Sequence, residues 1–288
     1  MDLSIVIVSF NTEKLLDDCL SSLIDSLKGT PLSYEILVVD NVSKDGTRVM
    51  LQKKYPDVIT ILNNENIGFG RANNQGIRKA KGEYILLLNS DTVIPKKEVY
   101  TLYEFARTHP TSFIGPKLLN SDKTPQTSCG PFFSLPVIFA ALFLKGDVVG
   151  LTRWSPDTVK KVDWVSGACL MGPKKLFTDD LLFDEKIFMY MEEVDLLMRA
   201  RQRGYSTYFY PGSKIIHLGA GSSTNRKTGP VLNIYKGMLF LYRKHYSPVS
   251  LWMLRILLKK KALISLAIGY LTENEYLKTT YAQAYRLV

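Results

Sequence analysis

An Asn-Ser-Asp sequence at the end of an apolar run is the first feature of this chain that could carry chemistry. In the stretch GEYILLLNSDTVIPKK, residues 84–88 have the pattern of a buried strand, and Asn89, Ser90 and Asp91 follow them directly. Residues of these types often form simple turns through side-chain to backbone hydrogen bonds. A carboxylate placed there could also hold a divalent cation, Mg2+ or Mn2+, that bridges phosphates. Both interpretations stay open at this point.

A second group of acids lies in the stretch FMYMEEVDLLMRARQRGY. Glu192, Glu193 and Asp195 begin a run with helical spacing, so we expect them in the first turn of a helix. Acids favour that position because they complement the helix dipole. One of them could equally act as a general base that takes a proton from a hydroxyl. Like-charged neighbours raise the pKa of a carboxylate, which would suit that role.

The elements that would position these acids alternate between strands and helices. Strands are predicted in the apolar runs 3–11, 34–43, 58–64 and 84–91. Helices are predicted in the segments with helical period, 12–27, 45–56 and 71–82. This alternation predicts an α/β fold with a Rossmann-like, doubly wound and mostly parallel sheet.

Polar clusters follow each of the four predicted strands. They are Ser9–Asn11, Asp40–Asn41, Asn63–Asn66 and Asn89–Asp91. Ligands of such sheets bind beyond the carboxyl ends of the strands, so we expect a ligand site at that edge. The turn Phe10-Asn11-Thr12 has no glycine, which excludes a dinucleotide-binding fingerprint there, and no P-loop is present. A nucleotide would be held in another way, and Asp40 could accept a hydrogen bond from its base or ribose.

Composition limits the class of protein. The 288 residues are 46% apolar and 22% charged, as in folded globular proteins of one or two domains. The net charge of +10 fits a nucleic acid, an anionic membrane or a phosphorylated substrate. Three widely spaced cysteines, Cys19, Cys129 and Cys169, predict neither a disulfide framework nor a zinc site and favour a reducing compartment. The start MDLSIVIVSFN lacks the features of a signal peptide, so we expect a cytoplasmic location.

A series of motifs in order resembles the inverting glycosyltransferases of family 2, which have the GT-A fold. The motifs are SIVIVSFN, EILVVDNVSKDGT, NNENIGFGRANNQGI, YILLLNSDT, VDWVSGACLMGPKKLF, FDEKIFMYMEEVDLLMRARQRGY and IIHLGAGSS, spanning residues 3 to about 224. The similarity is greatest to the rhamnosyltransferase-like branch that builds bacterial surface polysaccharides. It predicts a catalytic domain over 1–230, with a nucleotide-sugar half at about 1–115 and an acceptor half at about 116–230. A helical, basic and apolar region would follow at 231–288.

The resemblance implies roles for particular residues. The family's Asp-x-Asp motif, which holds the metal and the donor diphosphate, is Asn89-Ser90-Asp91 here, and His217 matches a late histidine ligand. Only Asp91 of that motif is anionic, so Asn89 would bind through its amide oxygen or contact the ribose. The donor nucleoside would be surrounded by Phe10, Asn11, Asp40, Asn66, Gly68, Phe69 and Asn74, together with Asn89 and Ser90.

The same resemblance implies an acceptor side. The second acid of the family's catalytic pair is the base, and Glu193 occupies that position, with Glu192 as the fallback. Trp164, Gly167 and Asp195 are assigned to the acceptor or donor-sugar wall. For Trp164 an ordinary core position is an equally good interpretation.

The implied reaction is sugar transfer with inversion from a nucleotide-diphosphate donor, dependent on Mn2+ or Mg2+. The acceptor would be a glycan or a polyprenyl-diphosphate-linked glycan, and no nucleic-acid partner is expected. L-rhamnose from dTDP-rhamnose is the first expectation, and transfer of a UDP-linked hexose or galactofuranose is the alternative. A nucleotidyltransferase would need a glycine-rich turn with a lysine after the first strand, which is missing. A non-catalytic basic module would explain the charge but not Asp91 and Glu193.

The C-terminal region changes character. Residues 235–271 interleave aromatic and leucine residues with Lys259–Lys261, and no apolar stretch is long enough to span a bilayer. Such a helix suits an anionic membrane interface, which predicts a peripheral enzyme at the inner face of the cell membrane. A helical lid and a homodimer contact remain alternatives.

Overall fold

The first half of the chain has the alternation that its sequence predicts. The computed structural model describes residues 1–219 and 228–288, so residues 220–223 of the motif IIHLGAGSS lie outside the described part. The strands are β1 (Leu3–Ser9), β2 (Tyr34–Asp40), β3 (Ile59–Leu62) and β4 (Tyr84–Asn89). The helices between them are α1 (Glu13–Leu27), α2 (Thr47–Lys54) and α3 (Phe69–Lys79). All four strands pair in parallel in the order β3-β2-β1-β4, which confirms the predicted elements.

The second half extends this sheet with both parallel and antiparallel strands. Its elements are β5 (Thr92–Val93), α4 (Glu98–Arg107), β6 (Ser112–Leu119), β7 (Cys129–Gly130), α5 (Leu135–Phe143), β8 (Lys160–Val162), β9 (Trp164–Val165), β10 (Cys169–Pro173), α6 (Glu192–Gln202) and β11 (Ser206–His217). Short 3-10 helices occupy Lys174–Leu176 and Asp179–Leu181. The sheet continues past β4 in the order β10-β6-β11-β5, while β8 pairs with β11 and β7 with β9. The expected mostly parallel α/β sheet is confirmed, with β10, β5 and β8 as its antiparallel members.

The central strands are buried on both faces. Successive residues of β1 alternate between two core clusters: Ile5 and Ile7 pack with α1 and α4, whereas Val6 packs with α3. Continuous apolar runs are what a sheet covered on both sides requires. Gly76 brings α3 close to β1, since a Cβ atom there would lie 2.3 Å from Val6.

Three helices complete the chain and pack on the same core. They are α7 (Thr228–His245), α8 (Pro248–Leu271) and α9 (Glu275–Leu287), so the predicted helical C-terminal region is confirmed. The boundary predicted at residue 230 falls in the first turn of α7. Leu254 and Leu258 of α8 are fully buried, and the hydroxyl of Tyr242 donates to the carbonyl of Phe133 at 2.9 Å. Within the described residues, no helix has the length and apolar character needed to cross a membrane.

Candidate active site

Hydrogen bonds join the loops that follow β1, β2 and β4. The hydroxyl of Thr12 donates to Ser90 Oγ at 3.2 Å, and the backbone amide of Asn11 donates to Ser43 Oγ at 2.9 Å. Asn11 is exposed and has a left-handed backbone (φ 51°), which asparagine tolerates better than most residues. Three of the predicted polar clusters therefore form one connected edge, as expected from parallel strands.

Two predicted metal ligands meet where β5 pairs with β11. The antiparallel register places Thr92 opposite His217, so Asp91 and His217 become neighbours. Nε2 of His217 lies 3.4 Å from Oδ1 of Asp91 and 3.5 Å from the amide nitrogen of Asn89. The side chains of His217 and Asp91 are only 15% and 10% exposed. The structure thus brings together the three residues expected on the metal side.

The donor atoms of these three residues fit a divalent cation. Oδ1 of Asn89 is buried and has no hydrogen-bond partner among the residues described, which is costly for an amide oxygen. A cation bound there would satisfy it, and carboxylate, amide and imidazole donors together suit Mn2+ or Mg2+. Residues 1–219 and 228–288 contain no group of three His, Cys, Asp or Glu side chains that could hold a metal. A three-ligand set at this edge therefore depends on Asn89.

Gln126 orients the imidazole and was not predicted from the sequence. Its amide nitrogen donates to Asn120 Oδ1 at 3.0 Å and to the carbonyl of His217 at 3.3 Å, which fixes the orientation of the amide. Its Oε1 therefore accepts from Nδ1 of His217, 2.8 Å away. This leaves Nε2 of His217 with its lone pair toward Asp91, the arrangement usual for a metal-binding histidine. A lone glutamine outside any motif gives no sequence signal for such a role.

Two residues expected to contact the donor are instead bound to other parts of the protein. The carboxylate of Asp40 is fully buried and accepts from Nε of Arg48 at 2.6 Å and from the backbone of Ser43. The amide of Asn74 is also fully buried and bonds both the backbone N–H and C=O of Phe183, at 3.0 and 2.9 Å. In this structure both side chains anchor loops at the border of the site. Direct contact of these two residues with the donor stays a prediction.

Of the remaining residues predicted to contact the donor, Asn66 and Gly68 lie in the loop before α3, and Phe69 begins that helix. The backbone N–H of Gly68 donates to Oδ1 of Asn66 at 3.1 Å, and that of Phe69 donates to the carbonyl of Phe188 at 3.0 Å. Gly68 has φ +87°, and a Cβ atom there would lie 2.6 Å from the carbonyl oxygen of Phe188. Only glycine fits this close approach. The rings of Phe10 and Phe69 are partly exposed at this edge.

A strained bend leads into the helix that carries the acids. Tyr190 and Met191 both have left-handed backbones, with φ of 69° and 73°, immediately before α6 begins at Glu192. Two successive non-glycine residues in this region are costly and persist only where packing holds them. Gly237 of α7 supplies that packing, since a Cβ atom there would lie 2.7 Å from the carbonyl oxygen of Tyr190.

Glu192 and Glu193 differ in their surroundings. Glu192 is 6% exposed, and its Oε2 has no hydrogen-bond partner within the described part of the chain. Burial, and then the charge of Glu193, raise the pKa of Glu192 well above its usual value. Glu193 is partly exposed, and burial also raises its pKa, although backbone hydrogen bonds and the charge of Arg153 oppose that rise.

One short loop contacts both an acid at the start of α6 and a residue of the predicted metal site. A Cβ atom placed on Gly167 would lie 3.4 Å from Cβ of Glu193, so the loop 166–168 borders that acid. The carbonyl of Ala168 in the same loop accepts from the backbone N–H of Asn89 at 2.9 Å. One three-residue loop therefore contacts both a carboxylate with a raised pKa and a residue of the predicted metal site.

Asp195 lies in a buried cluster of charged side chains. It is fully buried, and its carboxylate lies 2.8 Å from Nε of Arg199, 2.8 Å from Nζ of Lys244 and 2.7 Å from Nε2 of His245. Burial alone would raise the pKa of Asp195, but the hydrogen bond from His245 and the charges of Arg199 and Lys244 hold it below the usual value. Asp195 thus joins α6 to α7, and its assignment to the acceptor wall stays a prediction.

Trp164 occupies the core. It is 3% exposed, its indole N–H donates to the carbonyl of Pro131 at 2.8 Å, and its ring stacks on Phe133 with centroids 5.8 Å apart. The guanidinium of Arg153 lies 5.4 Å from the ring centroid. Of the two interpretations of Trp164, the core position is the one observed, whereas Gly167 does border the candidate site.

The sequence of this chain is similar to those of known glycosyltransferases. Residues 4–128 match the family model of glycosyl transferase family 2. The low-salt glycan biosynthesis hexosyltransferase Agl10 of Haloferax volcanii is 29% identical over 205 residues, which are 70% of this chain and 62% of that protein. The N-acetylglucosaminyl-diphospho-decaprenol L-rhamnosyltransferase of Mycobacterium tuberculosis is 27% identical over 241 residues, 77% of each chain. The rhamnosyltransferase WbbL of Escherichia coli is 25% identical over 225 residues, 74% of this chain and 82% of that protein.

Solved structures support the fold. S. aureus TarS 1-349 in complex with UDP-GlcNAc superposes with a TM-score of 0.60 at 17% identity, covering 99% of this chain and 79% of that one. A longer TarS structure gives a TM-score of 0.58, covering 94% of this chain and 45% of that one. The present chain thus spans only part of the length of Agl10 and of the longer TarS. The sequence match over residues 4–128, the similarity to rhamnosyltransferases and the shared fold agree that the chain contains a glycosyl transferase family 2 domain.

Proposed function

We propose that the protein transfers a sugar from a nucleotide-diphosphate donor to a hydroxyl group of a glycan or lipid-linked glycan, with inversion at the anomeric carbon. The observation that carries the proposal is the position of the loop 166–168, which contacts both Asn89 and Glu193. A single displacement needs its leaving-group site and its base on opposite sides of the reacting carbon. Contact of one short loop with residues of both kinds supports such an arrangement.

The leaving-group side would be formed by the edge after β4. Asp91, His217 and Oδ1 of Asn89 would hold Mn2+ or Mg2+. When bound, the cation supplies positive charge that stabilises the negative charge developing on the departing diphosphate. Ser90 and the loop 66–69 would border the donor, and Phe10 and Phe69 would offer apolar surface to its nucleoside.

Glu193 would act as the general base. The acceptor oxygen forms a bond to the anomeric carbon as the carbon–oxygen bond to the diphosphate breaks, and the hydroxyl proton passes to the Glu193 carboxylate. A raised pKa suits this transfer because the base must bind the proton effectively at the working pH. Glu193 is preferred over Glu192 because it is partly exposed beside Gly167, whereas Glu192 is almost completely buried.

The relatives suggest the donor and the acceptor. Two of them are named rhamnosyltransferases, so L-rhamnose from dTDP-rhamnose is the first candidate. A UDP-linked hexose or galactofuranose is the alternative, since Agl10 is a hexosyltransferase and TarS binds UDP-GlcNAc. The name of the mycobacterial relative contains a diphospho-decaprenol acceptor, which favours an acceptor carried on a polyprenyl diphosphate.

A panel of nucleotide sugars tests the proposal. The full chain is incubated with each donor and Mn2+, and release of the nucleoside diphosphate is measured with and without a glycan acceptor. We expect dTDP-rhamnose to give the fastest release, and Asp91→Ala to reduce it strongly. Release no faster than that of Asp91→Ala for every donor would overturn the proposal.

The outer face of α8 supports a location at a membrane surface. Trp252 and Leu263 are 63% and 49% exposed there, and Arg255 and Lys260 are exposed on the same helix. An apolar face with adjacent cations binds an anionic membrane surface through burial of its apolar area and through attraction of its cations to anionic lipids. We place the enzyme at the cytoplasmic face of the cell membrane, with a homodimer contact as the alternative use of this face.

A further inference from the structure

A pocket of about 360 Å3 lies between α7 and the loop 186–189. On the helix side it is lined by Asn233, Lys236, Phe240 and Arg243, which recur every three or four residues and so share one face of α7. Leu287, at the end of α9, lines it as well. None of the residues described so far as ligands or base lines this pocket.

The pocket carries uncompensated positive charge. Lys186, Lys236 and Arg243 line it, and no acidic residue does. The acids nearest to the loop in sequence are bound elsewhere: Asp184 pairs with Lys244, and Glu185 pairs with arginines of α3. Three cations around one cavity repel each other, and an anion bound between them relieves that repulsion.

The remainder of the lining is apolar. Ile187, Met189, Leu239, Phe240 and Leu287 contribute hydrocarbon and aromatic surface. An inorganic anion would use only the cations. A ligand that uses the whole pocket is an anion attached to a hydrocarbon chain.

The pocket adjoins both halves of the candidate active site. Phe188 lines it, and the carbonyl of the same residue accepts from the backbone N–H of Phe69 in the donor loop. Gly237 also lines it and packs against Tyr190, two residues before Glu192. A ligand in the pocket would lie beside the loop 186–189, which leads toward the helix that carries Glu193.

We infer that this pocket binds the diphosphate and the adjoining prenyl carbons of a polyprenyl-diphosphate-linked acceptor. A doubly esterified diphosphate has one negative charge on each phosphate, which Arg243 can bind through its planar fork and the two lysines as point charges. The prenyl carbons would lie on Ile187, Met189 and Phe240. The inference rests on the proposed function, because it identifies the carrier that presents the acceptor hydroxyl to Glu193.

Binding of short prenyl diphosphates tests the pocket directly. Calorimetry with geranyl diphosphate is performed on the full chain in EDTA, so that a cation at Asp91 cannot bind the diphosphate. We expect Lys236→Ala and Arg243→Ala each to weaken binding about tenfold or more, since a charge-assisted hydrogen bond contributes about 1.5–3 kcal/mol and 1.4 kcal/mol is about tenfold. Lys28→Ala, which removes an exposed lysine at the end of α1, is the matched control and should bind as the unmodified protein does.

Two further probes separate the sources of affinity. Inorganic pyrophosphate and geraniol should both bind more weakly than geranyl diphosphate, because each uses only part of the lining. Unchanged affinity in both pocket variants would overturn the inference, and so would pyrophosphate binding as tightly as geranyl diphosphate.

Activity distinguishes this inference from the proposed function. Lys236→Ala should keep donor hydrolysis in the absence of acceptor and raise the KM for a prenyl-diphosphate-linked acceptor about tenfold. An unchanged acceptor KM would contradict the pocket assignment while leaving sugar transfer intact. Failure of every donor in the panel would instead reject the proposed function, and the calorimetry would still decide what the pocket binds.

Discussion

Nε2 of His217 lies 3.4 Å from Oδ1 of Asp91, and this contact is produced by the pairing of β5 with β11. β5 is only two residues long, yet it turns the chain after Asp91 so that Thr92 lies opposite His217. A carboxylate from the end of one strand and an imidazole from the end of another are thereby fixed together. The buried amide oxygen of Asn89 completes the set.

Replacing the side chains that would hold the cation should weaken binding of the nucleotide donor in the presence of Mn2+. We expect Asp91→Ala and His217→Ala to lose the thermal stabilisation that Mn2+ adds to nucleoside diphosphate binding. Gln126→Ala should weaken Mn2+ binding about 10- to 100-fold, because it frees the imidazole to rotate. Asp18→Ala, on an exposed side chain of α1, is the control. Full Mn2+ dependence in Asp91→Ala would contradict the assignment.

Glu193→Gln should separate donor binding from turnover. The amide keeps the size of the side chain but cannot accept the proton, so donor affinity should persist while kcat falls about a hundredfold to ten-thousandfold. Donor affinity is measured by calorimetry, and kcat is measured from initial rates on the same variants. If Glu193→Gln remains active and Glu192→Gln does not, Glu192 is the base.

Glu192→Gln should stabilise the protein at neutral and higher pH. The folded-state pKa of Glu192 is raised above its ordinary value of 4.5, so between these two pKa values the folded protein keeps a proton that the unfolded chain has lost. The free energy of unfolding therefore decreases as the pH rises through this range. Glutamine has no charge to lose or gain, so it removes that decrease. We expect a larger gain in Tm at about pH 8 than at about pH 5. The exposed Glu83→Gln serves as control, and an equal or negative change in Tm at pH 8 would contradict burial of the charge.

Local patterns predicted most of the first half of the fold. The apolar runs around Ile5, Leu37 and Leu86 are strands because both faces of each are covered, and the polar residues after them lie at one edge as parallel pairing requires. The approach of His217 to Asp91 came from the family resemblance, because the register of a two-residue strand has no sequence pattern.

Burial explains why several predicted site residues bind other parts of the protein. Asp40 and Asn74 have residue types suited to ligands, but Arg48 and the backbone of Phe183 bind them inside the protein. Asp195 resembles its neighbours Glu192 and Glu193 in type, and only the packing of α7 shows that Lys244 and His245 bind it. For Asn74 and Asp195 the deciding partners are distant in sequence.

Asp195→Asn should destabilise the fold. Removing one member of a buried ion pair leaves the charge of Arg199 uncompensated and Lys244 with Asp184 alone, at a cost of about 3–5 kcal/mol. The pKa of Asp195 is lowered from 3.8, so its contribution is present above that value and lost as the pH falls through the folded-state pKa. Urea unfolding at neutral pH measures the difference. Asp18→Asn, in an exposed pair with Lys14, should change stability by less than about 1 kcal/mol, and a similarly small effect for Asp195→Asn would refute the role given to it.

The exposed face of α8 should bind anionic membranes. Leu254 and Leu258 hold α8 in the core, so point variants are preferable to truncation. We expect sedimentation with anionic liposomes at low salt, weakened by Trp252→Ser through loss of apolar area and by Lys260→Glu through loss of about 1 kcal/mol or more of attraction. Salt should reduce binding by screening. Lys28→Glu is the charge-matched control, and equal binding to neutral and anionic vesicles, or none to either, would leave this face for a dimer or a lid.

The configuration of the product tests the central claim most directly. The protein is supplied with dTDP-rhamnose, Mn2+ and N-acetylglucosamine linked through a diphosphate to a short prenyl chain, and the anomeric signals of donor and product are compared by NMR. A single displacement with Glu193 as base predicts a product whose anomeric configuration is inverted relative to the donor. A product that retains the donor's configuration would contradict it.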